Sequence, residues 1–370
     1  ELIVRLYEYF LQAFAFAAKK EDGEFYTPAC VVQLIAELIE PYSGTVYDPC
    51  CGSGGMFVQS LKFVDKHKGN RKEVSILGQE KMPDTWRLCK MNLAIRGIAH
   101  DLGSTNASTF TNDLHKDKTV NYIMANPPFN LKNWRGEDEL LNDPRWSAYN
   151  VPRSSNANYA WILHMLSKLD VNNGIAGFLL ANGALNDEDE YENRKKLIEN
   201  DKVEAIIVLP RDMFYTTDIS VTLWILNNNK KAGIVNGRKV RDRRGEILFV
   251  DLRTWNENIE SYKLDKGTKK KVVLNDRQIE KVKNIYFNWQ SEEIDGKHYE
   301  VPELYRSVDL EEIKERNFAL TPSKYIEFID HDLDIDYEKE MARIQNEMKK
   351  IMVQEEKSQQ MLKEAFEGIG

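Results

Sequence analysis

Asp48-Pro49-Cys50-Cys51-Gly52-Ser53-Gly54-Gly55-Met56-Phe57 follows a β-rich run at 45–50 and opens a helical stretch, so its glycines fall at a strand-to-helix turn. Glycines at such a turn let a ligand approach the backbone beyond the carboxyl end of the first strand, where open α/β sheets bind ligands. A dinucleotide fingerprint G-x-G-x-x-G would need its third glycine at Phe57, which disfavours a nicotinamide cofactor. Outward from this turn, β-rich runs at 45–50, 75–80, 122–125, 174–181, 203–209 and 220–226 alternate with helical stretches, and a weaker run, third in order, ends near Asp113. The runs at 175–180 and 205–209 lack a polar alternate face, as expected of strands covered on both sides. The fold class is therefore α/β: a doubly wound, mostly parallel sheet with flanking helical segments and a C-terminal helical tail.

The chain has 370 residues, 42% hydrophobic and 30% charged, a composition that excludes pervasive disorder and a small stapled scaffold. Its 51 basic and 59 acidic residues leave a net charge of −8, so nucleic acid would be held by a local patch or through a partner rather than by an overall positive field. Cys30, Cys50, Cys51 and Cys89 form no CxxC pair and no zinc spacing, which predicts no disulfide framework, no metal and a reducing, cytoplasmic setting. The apolar segment at 9–18 is broken by Gln12 and falls short of the ~18 residues that span a bilayer, so no membrane association is expected. Glu1 enters a helical pattern of Ile3, Leu6, Phe10 and Phe14 part-way, which reads as a fragment lacking N-terminal residues.

Beyond Asn229, Lys230, Lys231, Arg238, Lys239, Arg241, Arg243 and Arg244 form a basic, Gly-interrupted stretch, read as a solvated hairpin or loop in preference to a nucleic-acid contact. A strand at 246–252 and a helix at 274–289 follow. Tyr337, Met341, Ile344, Met348 and Ile351 then repeat at coiled-coil-like spacings, resuming at Leu362; the stripe suits a partner helix or ordinary packing within the chain. The connection at 130–158 is long enough to be either a functional closure or disordered.

The fourth run leads into Asn126-Pro127-Pro128-Phe129. Two prolines fix a rigid turn, so the Asn126 side-chain oxygen and the Pro127 carbonyl can be held as paired acceptors. An amino group on an aromatic ring is a poor nucleophile because its lone pair is delocalised; two fixed acceptors would favour the pyramidal nitrogen that attacks. Phe129 offers a face for a planar base. Glu80, at the end of the second run, suits ribose hydroxyls. Alone, a Gly-rich turn is often just a turn and a strand-end Glu often surface; the order of the motifs is what favours chemistry.

DPCCGSGG, Glu80, the NDL around Asp113 and NPPF together resemble S-adenosylmethionine-dependent amino-methyltransferases acting on adenine in DNA. With Glu24-Phe25-Tyr26-Thr27-Pro28 ahead of the first strand, the chain from about Tyr7 to Ile329 resembles, more narrowly, the modification subunits of type I restriction-modification systems. The resemblance implies S-adenosylmethionine as cofactor, gripped by Glu24, Phe25, Tyr26, Thr27 and Pro28 with Asp48, Ser53, Gly54 and Gly55, with Glu80 on the ribose and Asp113 on the adenine amine. It implies Asn126, Pro127, Pro128 and Phe129 as catalytic residues, and Phe129 and Phe214 as aromatics against a flipped base; a core role for Phe214 is nearly as well supported. Cys50-Cys51 and Asn112 depart from the family pattern, and the thiols read as packing residues.

The expected organisation is an N-terminal segment 1–44 carrying FYTP, a catalytic domain 45–260, a strand/helix extension 261–330 and a docking tail 331–370. The resemblance implies double-stranded DNA, a separate specificity subunit and a second modification subunit as partners, and leaves open whether a restriction (nuclease) subunit joins them. A methyltransferase for protein glutamine or an RNA base remains the alternative enzyme, and a non-catalytic scaffold the alternative class.

Overall fold

Runs without a polar face become the strands of one sheet. The structure, a computed structural model, describes residues 27–214, 220–253, 255, 260–263, 270–329 and 337–367. β1 (Gly44–Asp48), β2 (Val74–Gly78), β3 (His100–Asp101), β4 (Tyr122–Ala125), β5 (Ile175–Ala181), β6 (Val203–Val208) and β7 (Val221–Asn227) match the expected runs closely except at β3. The hairpin β8 (Gly233–Val235) and β9 (Arg238–Val240), then β10 (Glu246–Asp251), the hairpin β11 (Glu260–Lys263) and β12 (Lys270–Val273), β13 (Glu300–Val301) and β14 (Tyr305–Asp309) follow. Ten strands pair in the order β13-β14-β10-β6-β7-β5-β4-β1-β2-β3. β3, β2, β1, β4 and β5 are parallel neighbours, β7 lies antiparallel between β5 and β6, and β10 extends the sheet parallel to β6. Strand order reverses between β1 and β4, which opens a crevice at their carboxyl ends.

Side-chain alternation with period two feeds two cores from one sheet. In β5, Leu179 and Ala181 face the core built with α1 (Ala29–Ile39), α2 (Gly55–Lys66) and α3 (Pro83–Ile95), whereas Ala176, Phe178 and Leu180 face α4 (Asn158–Lys168) and α5 (Tyr191–Glu199). α6 (Asp276–Gln290), opened by a capping box of Asn275 and Gln278, joins the first core. β14 pairs with β10 and α7 (Leu310–Glu315) adds Ile313 to the second, so the extension continues the sheet.

The third strand is shorter than expected, and Asp113 lies outside it. The segment after β3 folds under the sheet's edge, and buried Gln79 satisfies its backbone in place of a ladder. Gln79 donates to the carbonyls of Asn112 (2.7 Å) and Ala107 (3.2 Å) and accepts from Leu114 N–H (3.1 Å).

The connection at 130–158 is ordered. Trp134 and Trp146 are buried, and their indole N–H groups donate to the carbonyls of Arg153 (2.8 Å) and Leu140 (2.7 Å). Arg145 donates to the Phe110 carbonyl (2.6 Å) and to His164 Nδ1 (3.2 Å). Burial, and then the Arg145 charge, hold His164 well below its usual pKa, so it is neutral and fits that acceptor role.

The basic stretch is not a uniformly solvated turn. Lys230 and Arg243 are 3% and 1% exposed; Lys230 is paired with Asp201, and Arg243 with Glu204 at 2.9 Å. Burial pushes the Glu204 carboxyl up, but Arg243, Asn227 and Lys230 together outweigh it and keep it below the usual range. Arg238 pairs with Glu40, and Arg241 with Glu246 (2.8 Å). These cations were legible as charges, but the partners of Lys230, Arg243 and Arg238 lie 29, 39 and 198 positions away in sequence.

Residues from Phe328 onward form a separate unit. Its helix α8 (Tyr337–Glu367) exposes Met341, Ile344, Met348 and Ile351 at spacings of three and four. No helix among the described residues is long and apolar enough to cross a membrane.

Candidate active site

Because Val46 pairs with Tyr122 and Tyr47 with Ile123, the glycine loop after β1 and the NPPF turn after β4 leave the sheet side by side. A cleft opens between them, lined by Thr27, Asp48, Cys51, Gly52, Ser53, Gly55, Met56, Gln59 and Asn126 among others. Side chains added at Gly52 or Gly55 would meet no atom within 4 Å, so bare backbone faces open space where a ligand can lie against it. Gly54 is needed for a different reason: its φ is +84°, and a Cβ there would sit 2.9 Å from Cys89 Sγ.

The loop is held from beneath. Cys51 N–H donates to the Gln79 carbonyl (2.9 Å), Asn92 Nδ2 to the Ser53 carbonyl (2.6 Å), and Gly52 N–H to Glu80 Oε2 (3.0 Å). Glu80 also accepts from Met82 N–H (2.8 Å); burial pushes its carboxyl up against those hydrogen bonds. Asp48 is 2% exposed and accepts from Cys50 N–H at 3.0 Å, yet burial pushes its pKa up to about 7. Burial likewise pushes the Cys50 thiol well above its usual range, as does the hydrogen bond to Cys89 for Cys51, leaving both poorly nucleophilic.

Asn126 carries the most informative geometry. Its Nδ2 donates to Thr27 Oγ1 at 2.8 Å, while Oδ1 is buried and has no hydrogen-bond partner among the described residues. Native proteins rarely leave a buried acceptor unpaired, and at a cleft wall the economical explanation is a ligand that donates to it. Phe129, 9% exposed, meets Phe214, 2% exposed, edge-on with centroids 6.5 Å apart.

Thr27, Asp48, Ser53, Gly55 and Asn126 thus come together, with Pro28 and Gly54 adjoining. Glu80 supports the glycine loop and does not line the cleft, and Asp113 is ion-paired with Lys168 (2.6 Å) and also does not line it. Glu24, Phe25 and Tyr26 lie outside the described residues. Sequence reading missed Met56 and Gln59, whose only signal is their place in the first turns after the loop, and the Thr27–Asn126 bond, which joins motifs 99 positions apart.

The site is similar in family to proteins already known. The N-6 DNA methylase family matches residues 1–333. The HindI type I restriction enzyme methylase subunit of Haemophilus influenzae is 44% identical over 332 residues, covering 88% of this chain and 68% of that protein. The MjaIX methylase subunit of Methanocaldococcus jannaschii is 33% identical, covering 99% of this chain and 63% of that protein. A solved type I restriction-modification methyltransferase subunit from Streptococcus thermophilus superposes with a TM-score of 0.69 at 26% identity, over 86% of this chain and 62% of the other. The chain thus spans about two thirds of the length of these relatives. With the family match running over nine tenths of its residues, the chain belongs to the N-6 DNA methylase family.

Proposed function

We propose that this chain transfers a methyl group from S-adenosylmethionine to the exocyclic amino group of a flipped-out adenine in DNA, as the modification subunit of a type I restriction-modification complex in the cytoplasm. The observation that carries the reading is the unpaired Asn126 Oδ1 beside a cleft floored by bare glycine backbone. Bound in that cleft, S-adenosylmethionine would supply an electrophilic methyl on a positively charged sulfonium. Asp48 puts a carboxylate on the cleft wall as the complement to the cofactor's positive charge, and Gly52 to Gly55 let it lie against the backbone.

Asn126 Oδ1 and the Pro127 carbonyl would then accept the two N6 hydrogens of the adenine. This localises the lone pair on nitrogen, and the proton released after transfer leaves to solvent. Thr27 accepts from the carboxamide nitrogen and so leaves the oxygen as the end available to the base. Phe129, backed edge-on by Phe214, supplies the aromatic surface for the base, which leaves the duplex at a cost of a few kcal/mol.

A pH dependence follows from Asp48. Burial pushes its pKa up to about 7, so it is ionised above that value and neutral below it. A cationic ligand prefers the ionised form, so cofactor affinity should fall up to about tenfold per pH unit below 7. For folding the sign is opposite. The folded-state pKa is raised above the unfolded one, so the stability this group lends the ligand-free protein is full below about pH 4 and lost as pH rises toward 7. Calorimetric titration of S-adenosylmethionine between pH 5.5 and 8 checks the first; Asp48→Asn should flatten that profile.

A specificity subunit and a second modification subunit are the proposed partners. The apolar stripe of α8 supports docking through the tail. Deletion after Asp330 should leave cofactor binding within about twofold while abolishing co-purification with the specificity subunit; assembly that survives the deletion would remove the tail from the interface.

The reaction itself is tested by incubating the chain and its operon partners with labelled S-adenosylmethionine and DNA, RNA and protein. Label in N6-methyladenine of DNA is expected; label in RNA or in protein glutamine would replace the proposal with the corresponding amino-methyltransferase.

A further inference from the structure

The chain leaves the NPPF turn at Asn130 and returns to the same place at Ala157, whose N–H donates to the Leu131 carbonyl at 2.9 Å. Asn130 is exposed and left-handed, with φ +56°. That conformation costs most residues energy, and asparagine is among the few that tolerate it. Two further asparagines hold it there. Asn158, 1% exposed in the first turn of α4, accepts the Asn130 backbone N–H at 3.0 Å and donates through Nδ2 to Asn130 Oδ1 at 2.9 Å. Asn156 Nδ2 donates to the same Oδ1 at 3.1 Å, and its own oxygen accepts Asn158 N–H at 2.9 Å.

Both ends of a buried carboxamide are therefore spent on one exposed residue, the one bonded to Phe129. Packing alone would be served by an aliphatic side chain; the amide is needed only to fix a backbone conformation. Asn158 does not line the cofactor cleft. We infer that Asn158 is a positioning residue for the reaction: by locking Asn130 in the left-handed region it sets the direction of Phe129, and so the stacking surface offered to the substrate base. This rests on the proposed amino-methyltransferase reading.

The test uses the full-length protein with its DNA-reading partner and three readouts: single-turnover methyl transfer at saturating cofactor, S-adenosylmethionine affinity, and hydrogen exchange at the Asn130 amide. Asn158→Ala should slow transfer about tenfold to hundredfold, the scale expected of a small misplacement. Cofactor affinity should stay within about twofold while the Asn130 amide loses protection. Since Asn158→Ala removes a buried group and so puts folding at risk, Asn130→Ala and Asn130→Gly provide a surface pair. Alanine, strained at this φ, should slow transfer about tenfold, and glycine, which accepts it, should restore the rate to within about threefold. Equal rates for the alanine and glycine variants, or a loss that tracks cofactor affinity, would overturn the inference. If the wild-type complex methylates no adenine, the functional reading fails, and the Asn130 amide exchange in the three variants still decides whether the clamp exists.

Discussion

Asn126→Ala is expected to lower kcat by about 10²- to 10³-fold, the range seen when one preorganised hydrogen-bonding group at a reacting centre is removed. S-adenosylmethionine affinity should move by no more than about threefold, because the lost acceptor acts on the amine in the transition state rather than on the bound cofactor. Thr27→Val probes the same carboxamide from behind. Without the hydroxyl that receives Nδ2, the amide can rotate its NH₂ toward the base, and the rate should fall by about tenfold, the worth of a single hydrogen bond. Single-turnover kinetics beside equilibrium cofactor binding separate the two effects. A collapse of cofactor binding in Asn126→Ala would move this residue from the reacting amine to the cofactor.

The largest effect on stability is expected at Arg243. It is 1% exposed against a Glu204 that is fully buried, and Glu204 also accepts from Tyr286 (2.9 Å) and Asn227 (2.6 Å). Truncation would leave a buried carboxylate without the cation paired to it, opposed only by the Lys230 charge at longer range, so Arg243→Ala should cost about 3–5 kcal/mol. Against a total stability of about 5–15 kcal/mol that is a large share, readable as a fall in the denaturant midpoint. The adjacent Arg244 pairs with Asp242 on the surface, and Arg244→Ala should leave the midpoint where it was. If the two variants behave alike, the buried Arg243–Glu204 pair adds no more to stability than the surface pair does.

What the sequence made legible and what it hid divide along local and non-local physics. Central strands could be read because burial on both faces removes every polar alternate, as in β5 and β6, and the glycine turn could be read because few other residues allow its backbone. β3 could not, since its continuation is replaced by hydrogen bonds from Gln79, a residue with no local mark of that role. The antiparallel insertion of β7 between β5 and β6 leaves the same apolar signature as a parallel strand. At the site, residue types and order pointed to Asp48, the glycine loop and Asn126, but the Thr27 bond exists only once α1, which Thr27 precedes, packs against β4 and β5, and the Asn126 oxygen without a partner among the described residues shows only then. Asp113 is a further case of non-local physics: its motif position suggested a ligand contact but gave no sign of Lys168, with which its carboxylate is paired.

The most direct measurement is a structure of the full-length protein with its DNA-reading partner, a duplex carrying the target adenine and a non-reactive analogue of S-adenosylmethionine. The adenine N6 is expected outside the helix, about 3 Å from both Asn126 Oδ1 and the Pro127 carbonyl, with its ring against Phe129. An adenine amine beyond hydrogen-bond reach of Asn126, or an Asn126 oxygen bonded instead to the cofactor analogue, would contradict the assignment at its centre.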